Sequence, residues 1–234
     1  MTHSLQRVAL FAKHWTPGLV KTRLSVSIGQ HGAAHLHRAF LATLTERLST
    51  LEAQRALCYA PADQRDAFAP FAARGWELCE QSAGDLGERL EDFFDRSFAA
   101  GYQRVVVLGA DSPNLELRLV VEAFAELRQR DLVLGPARDG GYYLVGARGG
   151  TPPIFRGMPW GQDALFQATL NRLASAGWGA DRFAVLPSWY DVDEMDDLRE
   201  LSRDLRGASQ PSLVRLRAAI EPYLSADGDR DDPR

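Results

Sequence analysis

The chain has 234 residues, 45% of them hydrophobic, which is enough to fill the core of one large α/β domain. A formal net charge of -4 and a pI near 5.8 exclude the basic face that nucleic-acid binding needs. No apolar stretch approaches a membrane span, and the apolar run in MTHSLQRVALFAK is too short for a secretory signal, so a cytoplasmic protein is expected.

Residues 7–12, RVALFA, read as a strand that breaks into KHWTPGLVKTRL, a loop punctuated by Pro17 and Gly18. The loop lacks both G-x-G-x-x-G and G-K-[ST], so neither of those phosphate cradles applies. It offers cations instead. Of the 27 basic residues 25 are Arg, and the only two lysines, Lys13 and Lys21, share this loop with Arg23. Two ammonium groups and a guanidinium suit a pyrophosphate and the charge that builds on a departing phosphate. From Gly32 to about Leu51, Leu36, Phe40, Leu44 and Leu48 recur every four positions and predict a helix. In HGAAHLH, His31 and His35 lack the Glu of an H-E-x-x-H zinc motif and read as a solvated helix face, with His37 nearby.

RALCYA at 55–60 is a second strand, DAFAPFAARG a short helix and WELCE a third strand. Cys58 and Cys79 each lie in one of these apolar runs and are expected to be reduced and buried. QSAGDLGERL brings two glycines to a helix start, where backbone amides can approach a ligand and Gln81 has an amide free to read a base edge. Asp85 can equally be the N-cap of that helix, with Glu88 completing a capping box. The helix is expected to bury Leu86, Leu90, Phe93, Phe94 and Phe98.

RVVVLGA, continuous in Val and Leu, predicts a central parallel strand buried on both faces. It ends at Asp111, followed by Ser112 and Pro113. A carboxylate at a strand end suits Mg²⁺, which takes one or two protein carboxylates and completes its shell with water and phosphate. Asp111 or Ser112 capping the helix LELRLVVEAFAEL is the competing explanation. DLVLGPA and GGYYLVGA are strands joined through Arg138, Asp139, Gly140 and Gly141. Asp-Gly favours a hairpin turn there, Asp139 is placed to face Asp111 across a crevice, and of Tyr142 and Tyr143 one belongs to the core. DALFQATLNRLASAG is a helix and FAVLPSWYDVD holds a strand. Asp191 and Asp193 share one side of the extended segment before an acidic helix start, at which Glu194, Asp196 and Asp197 compensate the helix dipole. Two helical stretches, about 194–206 and 211–224, close a single domain of residues 1–225. Residues 226–234 are a charged tail expected to be disordered.

Strands and helices alternate from residue 7 to about 136, which predicts an open, mostly parallel sheet with helices on both faces. In such sheets ligands bind beyond the carboxyl ends of the strands. Lys13, Lys21, Arg23, the QSAGDLGER loop, Asp111, Arg138 and Asp139 all follow strands.

Together FAKHWTPGLVKTRL, GDLGERL, LGADSPNL, GPARDGGYYLVG and YDVDEMDDL resemble a bacterial family of uncharacterised proteins in the GT-A, or nucleotide-diphospho-sugar transferase, superfamily. The resemblance spans about residues 7–200. It implies a Rossmann-like GT-A sheet that binds a nucleotide diphosphate through Mg²⁺ or Mn²⁺. GADSP is similar to the D-x-D or D-x-P element, so the resemblance makes Asp111 a metal ligand; the second carboxylate, missing from the motif, has to come from Asp139, Asp191 or Asp193. Lys21 and Arg23 inherit the phosphate contacts, with Lys13, Gln81, Gly84, Asp85, Gly140 and Gly141 as further nucleotide- or phosphate-binding positions. The implied activity is glycosyl transfer from a nucleotide sugar to a small-molecule acceptor, with Lys21 and Arg23 neutralising the departing phosphate and Asp139 orienting or deprotonating the acceptor hydroxyl. Two alternatives stand beside it: nucleotidyl transfer from a nucleoside triphosphate to a sugar phosphate or other phosphorylated acceptor, and a non-catalytic nucleotide-binding protein. A haloacid-type phosphatase is disfavoured, because Ala12 and Lys13 stand where its nucleophilic Asp should follow the first strand.

Overall fold

The computed structural model describes residues 5–228. Their contacts group them into two compact units. The first comprises the chain up to Ala12, Leu51–Gly109 and Glu116–Tyr190, and the second Lys13–Thr50, Ala110–Leu115 and the chain from Asp191 onward.

The first unit is built on a seven-stranded sheet. Its strands are β1 (Gln6–Lys13), β2 (Gln54–Ala60), β3 (Glu77–Glu80), β4 (Arg104–Gly109), β5 (Leu132–Pro136), β6 (Tyr142–Arg148) and β7 (Phe183–Val185), in the order β3-β2-β1-β4-β6-β5-β7. β1 with β4, β2 with β3 and β5 with β7 pair in parallel, while β6 runs antiparallel to both β4 and β5. The exception follows from chain length. A parallel partner needs a crossover of a dozen or more residues, and only the turn at 137–141 separates β5 from β6.

Helices α2 (Arg65–Ala72), α3 (Leu86–Ala99), α4 (Leu117–Glu126) and α5 (Leu165–Ser175) flank this sheet. RVVVLG behaves as a doubly covered strand. Val105 and Val107 join Phe93 and Phe94 of α3 and Leu173 of α5 in one core. Val106 and Leu108 point to the other side and are equally buried, and a Cβ on Gly146 would lie 3.1 Å from both Val106 and Leu127. A mixed open sheet flanked by helices is the Rossmann-like GT-A arrangement.

The second unit contains α1 (Thr22–Leu48), α6 (Met195–Asp204) and α7 (Pro211–Gly228). Leu36, Phe40, Leu44 and Leu48 are buried at their four-residue spacing. The helix begins ten residues earlier than the Gly32 start expected from the sequence, because a short turn from Thr22 is joined across a kink at Gly29 (φ 77°, ψ 159°). That backbone is open to glycine and strained for other residues. α7 runs on to Gly228, so residues 226–228 of the expected charged tail are helical, and residues 229–234 lie outside the described residues. Among the described residues, no helix is long and apolar enough to cross a membrane.

Candidate functional site

The loop after β1 closes a turn through the Leu19 N–H, which donates to the Thr16 carbonyl at 3.0 Å, and then delivers Lys21 as the N-cap of α1. Lys21 is left-handed (φ 47°, ψ 46°), the only non-glycine residue with positive φ among those described. Such a backbone costs about 1–3 kcal/mol for a residue with a side chain, so something in the fold must hold it there. What the conformation achieves is placement of the ammonium. Lys21 Nζ ion-pairs with Asp111 and, at 2.9 Å, with Asp193 Oδ1, and its side chain is only 3% exposed, with the Phe40 ring 5.7 Å away.

Two segments align those carboxylates. The Val192 N–H donates to the Asp111 carbonyl at 3.0 Å, and the Ser112 hydroxyl donates to Asp191 Oδ1 at 2.5 Å, so residues 111–112 and 191–192 are tied side by side. Arg47 Nη1 secures the next residue through the Pro113 carbonyl at 2.8 Å, and Asn114 Nδ2 donates to Asp204 at 3.0 Å. Asp111 and Asp193 therefore converge on one point, while Asp191 is engaged by the serine hydroxyl. Asp193 divides its oxygens: Oδ1 takes Lys21 and Oδ2 takes Arg23 Nη2 at 2.8 Å. Arg23 Nη1 reaches Glu194 at 3.0 Å and its side chain is 58% exposed.

Burial alone would lower the Lys21 pKa, but the Asp111 and Asp193 charges more than offset it and hold the ammonium above the ordinary lysine value. Desolvation works to raise Asp111, and Lys21, through its charge and its hydrogen bond, keeps the carboxyl below its ordinary value. His37 is buried, and its Nε2 bonds the Lys13 carbonyl at 3.0 Å. Burial lowers its pKa, with the Asp111 charge acting in the opposite sense. A neutral imidazole that donates from Nε2 leaves Nδ1 as an acceptor, and Nδ1 is buried with no hydrogen-bond partner. Neither His37 nor Ser112 stood out as a site residue in the sequence. For His37 the signal was present: it lies three residues before Phe40 and four before Leu41, on the apolar face of α1, whereas His31 and His35 are exposed.

The remaining expected residues occupy two places in the first unit. Gln81 Nε2 donates to the Cys58 carbonyl at 2.7 Å and, more weakly, to Ala12 at 3.4 Å, and Arg89 donates to its Oε1. Its amide is thus engaged with the backbone and not free, as it had been expected to be. Asp85 caps α3, accepting from the Glu88 N–H at 2.9 Å while Glu88 accepts from the Asp85 N–H at 2.9 Å. Gly84 before the cap is left-handed (φ 102°), and a Cβ on Gly87 would sit 2.2 Å from the Phe155 carbonyl oxygen. In the β5–β6 turn, Asp139 Oδ1 accepts from the Gly141 N–H at 2.9 Å. Gly140 has φ 87°, and a Cβ there would come within 1.9 Å of the Asp163 carbonyl oxygen. Tyr143 is the core residue of its pair and donates to Pro187 at 3.0 Å; Tyr142, half-buried and bonded to Thr169, is pushed up to about 12 by burial. Lys13 is exposed.

Among the described residues, no group of three or more His, Cys, Asp or Glu side chains is placed to hold a metal ion. The donor set at Lys21 is nonetheless suited to a hard divalent cation. Two carboxylates meet there with side chains 40% and 29% exposed, and Mg²⁺ needs only one or two of them.

The mixed open sheet flanked by helices defines a protein of GT-A-like fold. The chain belongs to the family described as "Uncharacterized protein conserved in bacteria (DUF2064)", whose model matches residues 43–162. It is similar to a "putative nucleotide-diphospho-sugar transferase" from Desulfovibrio desulfuricans G20, with 35% identity and a TM-score of 0.84 over 94% of this chain and 98% of that one. A cytidylyltransferase from Leptospira borgpetersenii shares the fold at 15% identity and a TM-score of 0.58, covering 99% of this chain and 100% of that one. The 4-diphosphocytidyl-2C-methyl-D-erythritol synthase of Anaerococcus prevotii does so at 10% identity and a TM-score of 0.51, covering 93% and 99%. No curated protein matches the sequence.

Proposed function

We propose that this protein is a metal-dependent glycosyltransferase that takes a nucleotide-diphospho-sugar as donor, and that Asp111 and Asp193 are the carboxylates that hold its Mg²⁺ or Mn²⁺. The observation that carries the reading is the convergence of both carboxylates on the buried Lys21 ammonium, with Arg23 on the outer oxygen of Asp193. Of the three carboxylates that could join Asp111, Asp193 shares its counter-ion, Asp191 takes the Ser112 hydroxyl and Asp139 takes the Gly141 N–H.

Charge balance supports a diphosphate ligand. Asp111, Asp193 and Glu194 against Lys21 and Arg23 leave the cluster negative by one, and a bound divalent cation makes it positive by one, the sign that attracts a nucleotide diphosphate. When bound, the cation supplies Lewis-acid stabilisation of the departing diphosphate. Lys21 holds the two carboxylates at a fixed spacing. Arg23, more than half exposed and paired with Asp193 and Glu194, is the cation that can exchange a carboxylate partner for a phosphate oxygen. The 35% identical relative, whose description names a nucleotide-diphospho-sugar transferase, supports the donor class.

The test is calorimetric titration with UDP- and GDP-sugars and with UTP, GTP and CTP, each in Mg²⁺, Mn²⁺ or EDTA, on wild type, Asp111→Asn and Asp193→Asn. Metal-dependent binding of a sugar diphosphate that weakens at least about tenfold in either variant is expected. Preference for a triphosphate would replace the reading with nucleotidyl transfer. Binding that survives EDTA and both substitutions would remove the metal site.

A further inference from the structure

The two cysteines of the chain lie side by side. Cys58 on β2 and Cys79 on β3 are in-register partners of a parallel pair. Neighbouring strands stand about 4.7–4.9 Å apart, inside the span of roughly 4.4–6.8 Å that a disulfide bridges between Cα atoms. Residues at paired positions also project from the same face of the sheet. Each thiol is a hydrogen-bonding neighbour of the other.

The pair is asymmetric. Cys58 is 1% exposed within the core, whereas Cys79 is half-buried because β3 is the edge strand. Cys79 also has a fixed cation beside it, since Arg7 Nη2 donates to its sulfur at 3.4 Å. The Arg7 side chain is 5% exposed and its guanidinium carbon lies 5.0 Å from the Phe93 ring centroid and 4.8 Å from that of Tyr102, so its charge is held in place. The same guanidinium donates to Ser97 at 3.1 Å and to Glu77 at 2.5 Å, and so offsets in part the Glu77 carboxylate that the Cys79 thiol also touches at 3.5 Å. An arginine cannot surrender its proton, and a cation beside a thiol favours the thiolate.

We infer that Cys79 and Cys58 form an oxidisable dithiol, in which Cys79 attacks a peroxide and Cys58 resolves the product as an intrachain disulfide. In the first step the Cys79 thiolate forms an S–O bond as the peroxide O–O bond breaks, and the departing hydroxide leaves as water after taking a proton. In the second, Cys58 sulfur bonds to Cys79 sulfur, the S–O bond breaks, and the hydroxide leaves as water with the Cys58 proton. Two thiols are oxidised and one peroxide is reduced to two waters. The Cys58 hydrogen bond holds the Cys79 thiol below the usual cysteine range, while burial pushes Cys58 well above it, in keeping with the two roles.

The experiment treats the folded full-length protein with hydrogen peroxide near neutral pH, denatures it, alkylates the free thiols and measures intact mass and peptides. Wild type is expected to lose both thiols together with a mass decrease of about 2 Da, reversed by dithiothreitol. Cys58→Ser is expected instead to gain about 16 or 32 Da at Cys79, and Cys79→Ser to slow loss of the remaining thiol at least about tenfold. Oxygen gained at Cys79 while Cys58 still alkylates, disulfides formed only between two molecules, or no reaction under native conditions would overturn the inference. The wild-type masses decide it even if a variant does not fold.

Discussion

Replacing Lys21 with Met removes an ammonium and leaves a side chain of similar length in the same buried slot. Asp111 and Asp193 then face each other without their shared counter-ion. Removing one partner of a buried ion pair costs about 3–5 kcal/mol. Here the carboxylates are 40% and 29% exposed and Arg23 stays on Asp193, so the low end applies, about 3 kcal/mol. At roughly 2–4 °C per kcal/mol for a chain of this size, Tm should fall by about 6–12 °C. Scanning calorimetry at pH 7 in low salt with EDTA measures the change. Lys21→Met combined with Asp193→Asn should be less destabilised than the sum of the two single variants by at least about 1 kcal/mol, because one charge no longer lacks its partner. The pH dependence has two arms. The Lys21 pKa is raised by folding, so its contribution is complete below the unfolded value of about 10.4 and is lost as pH rises through the folded value. The Asp111 pKa is depressed, so its contribution is present above about 3.9 and is lost as pH falls through the folded value. The gap between wild type and variant should therefore be widest on the plateau between and narrow at both ends. A Tm within about 2 °C of wild type at pH 7 would refute the idea that this ammonium organises the site.

Two further substitutions test the loops of the first unit. Asp85→Ala removes the α3 capping box and should cost about 1 kcal/mol in urea denaturation, with metal-dependent nucleotide binding unchanged; a loss of binding with no loss of stability would make Asp85 a ligand contact. Gly140→Ala forces a side chain at φ 87° against the Asp163 carbonyl and should lower stability by more than about 1 kcal/mol, while a neutral result would mean that the β5–β6 turn rearranges freely.

The sheet was legible because burial leaves a local trace. RVVVLG could only be covered on both faces, and the four-residue spacing of Leu36 to Leu48 could only be one side of a helix. The clustering of Lys21 and Arg23 in one loop, and Asp111 at a strand end, were equally visible, because cations and carboxylates stand out where apolar runs stop. The capping box at Asp85 and Glu88 could be read from residue spacing, since its partners lie within one helical turn.

Which carboxylate meets Asp111 at Lys21 left no such trace. Asp139, Asp191 and Asp193 are alike as residues in loops, and only the pairing of residues 111–112 with 191–192 turns Asp193 toward Lys21 and Asp191 toward Ser112. The left-handed backbone of Lys21, the burial of His37 and the register that sets Cys58 beside Cys79 are likewise products of long-range packing. Hydrophobic periodicity is written along the chain because each element buries its own face. Which polar groups meet depends on contacts between residues far apart in sequence, and the amino-acid order specifies these only through the completed fold.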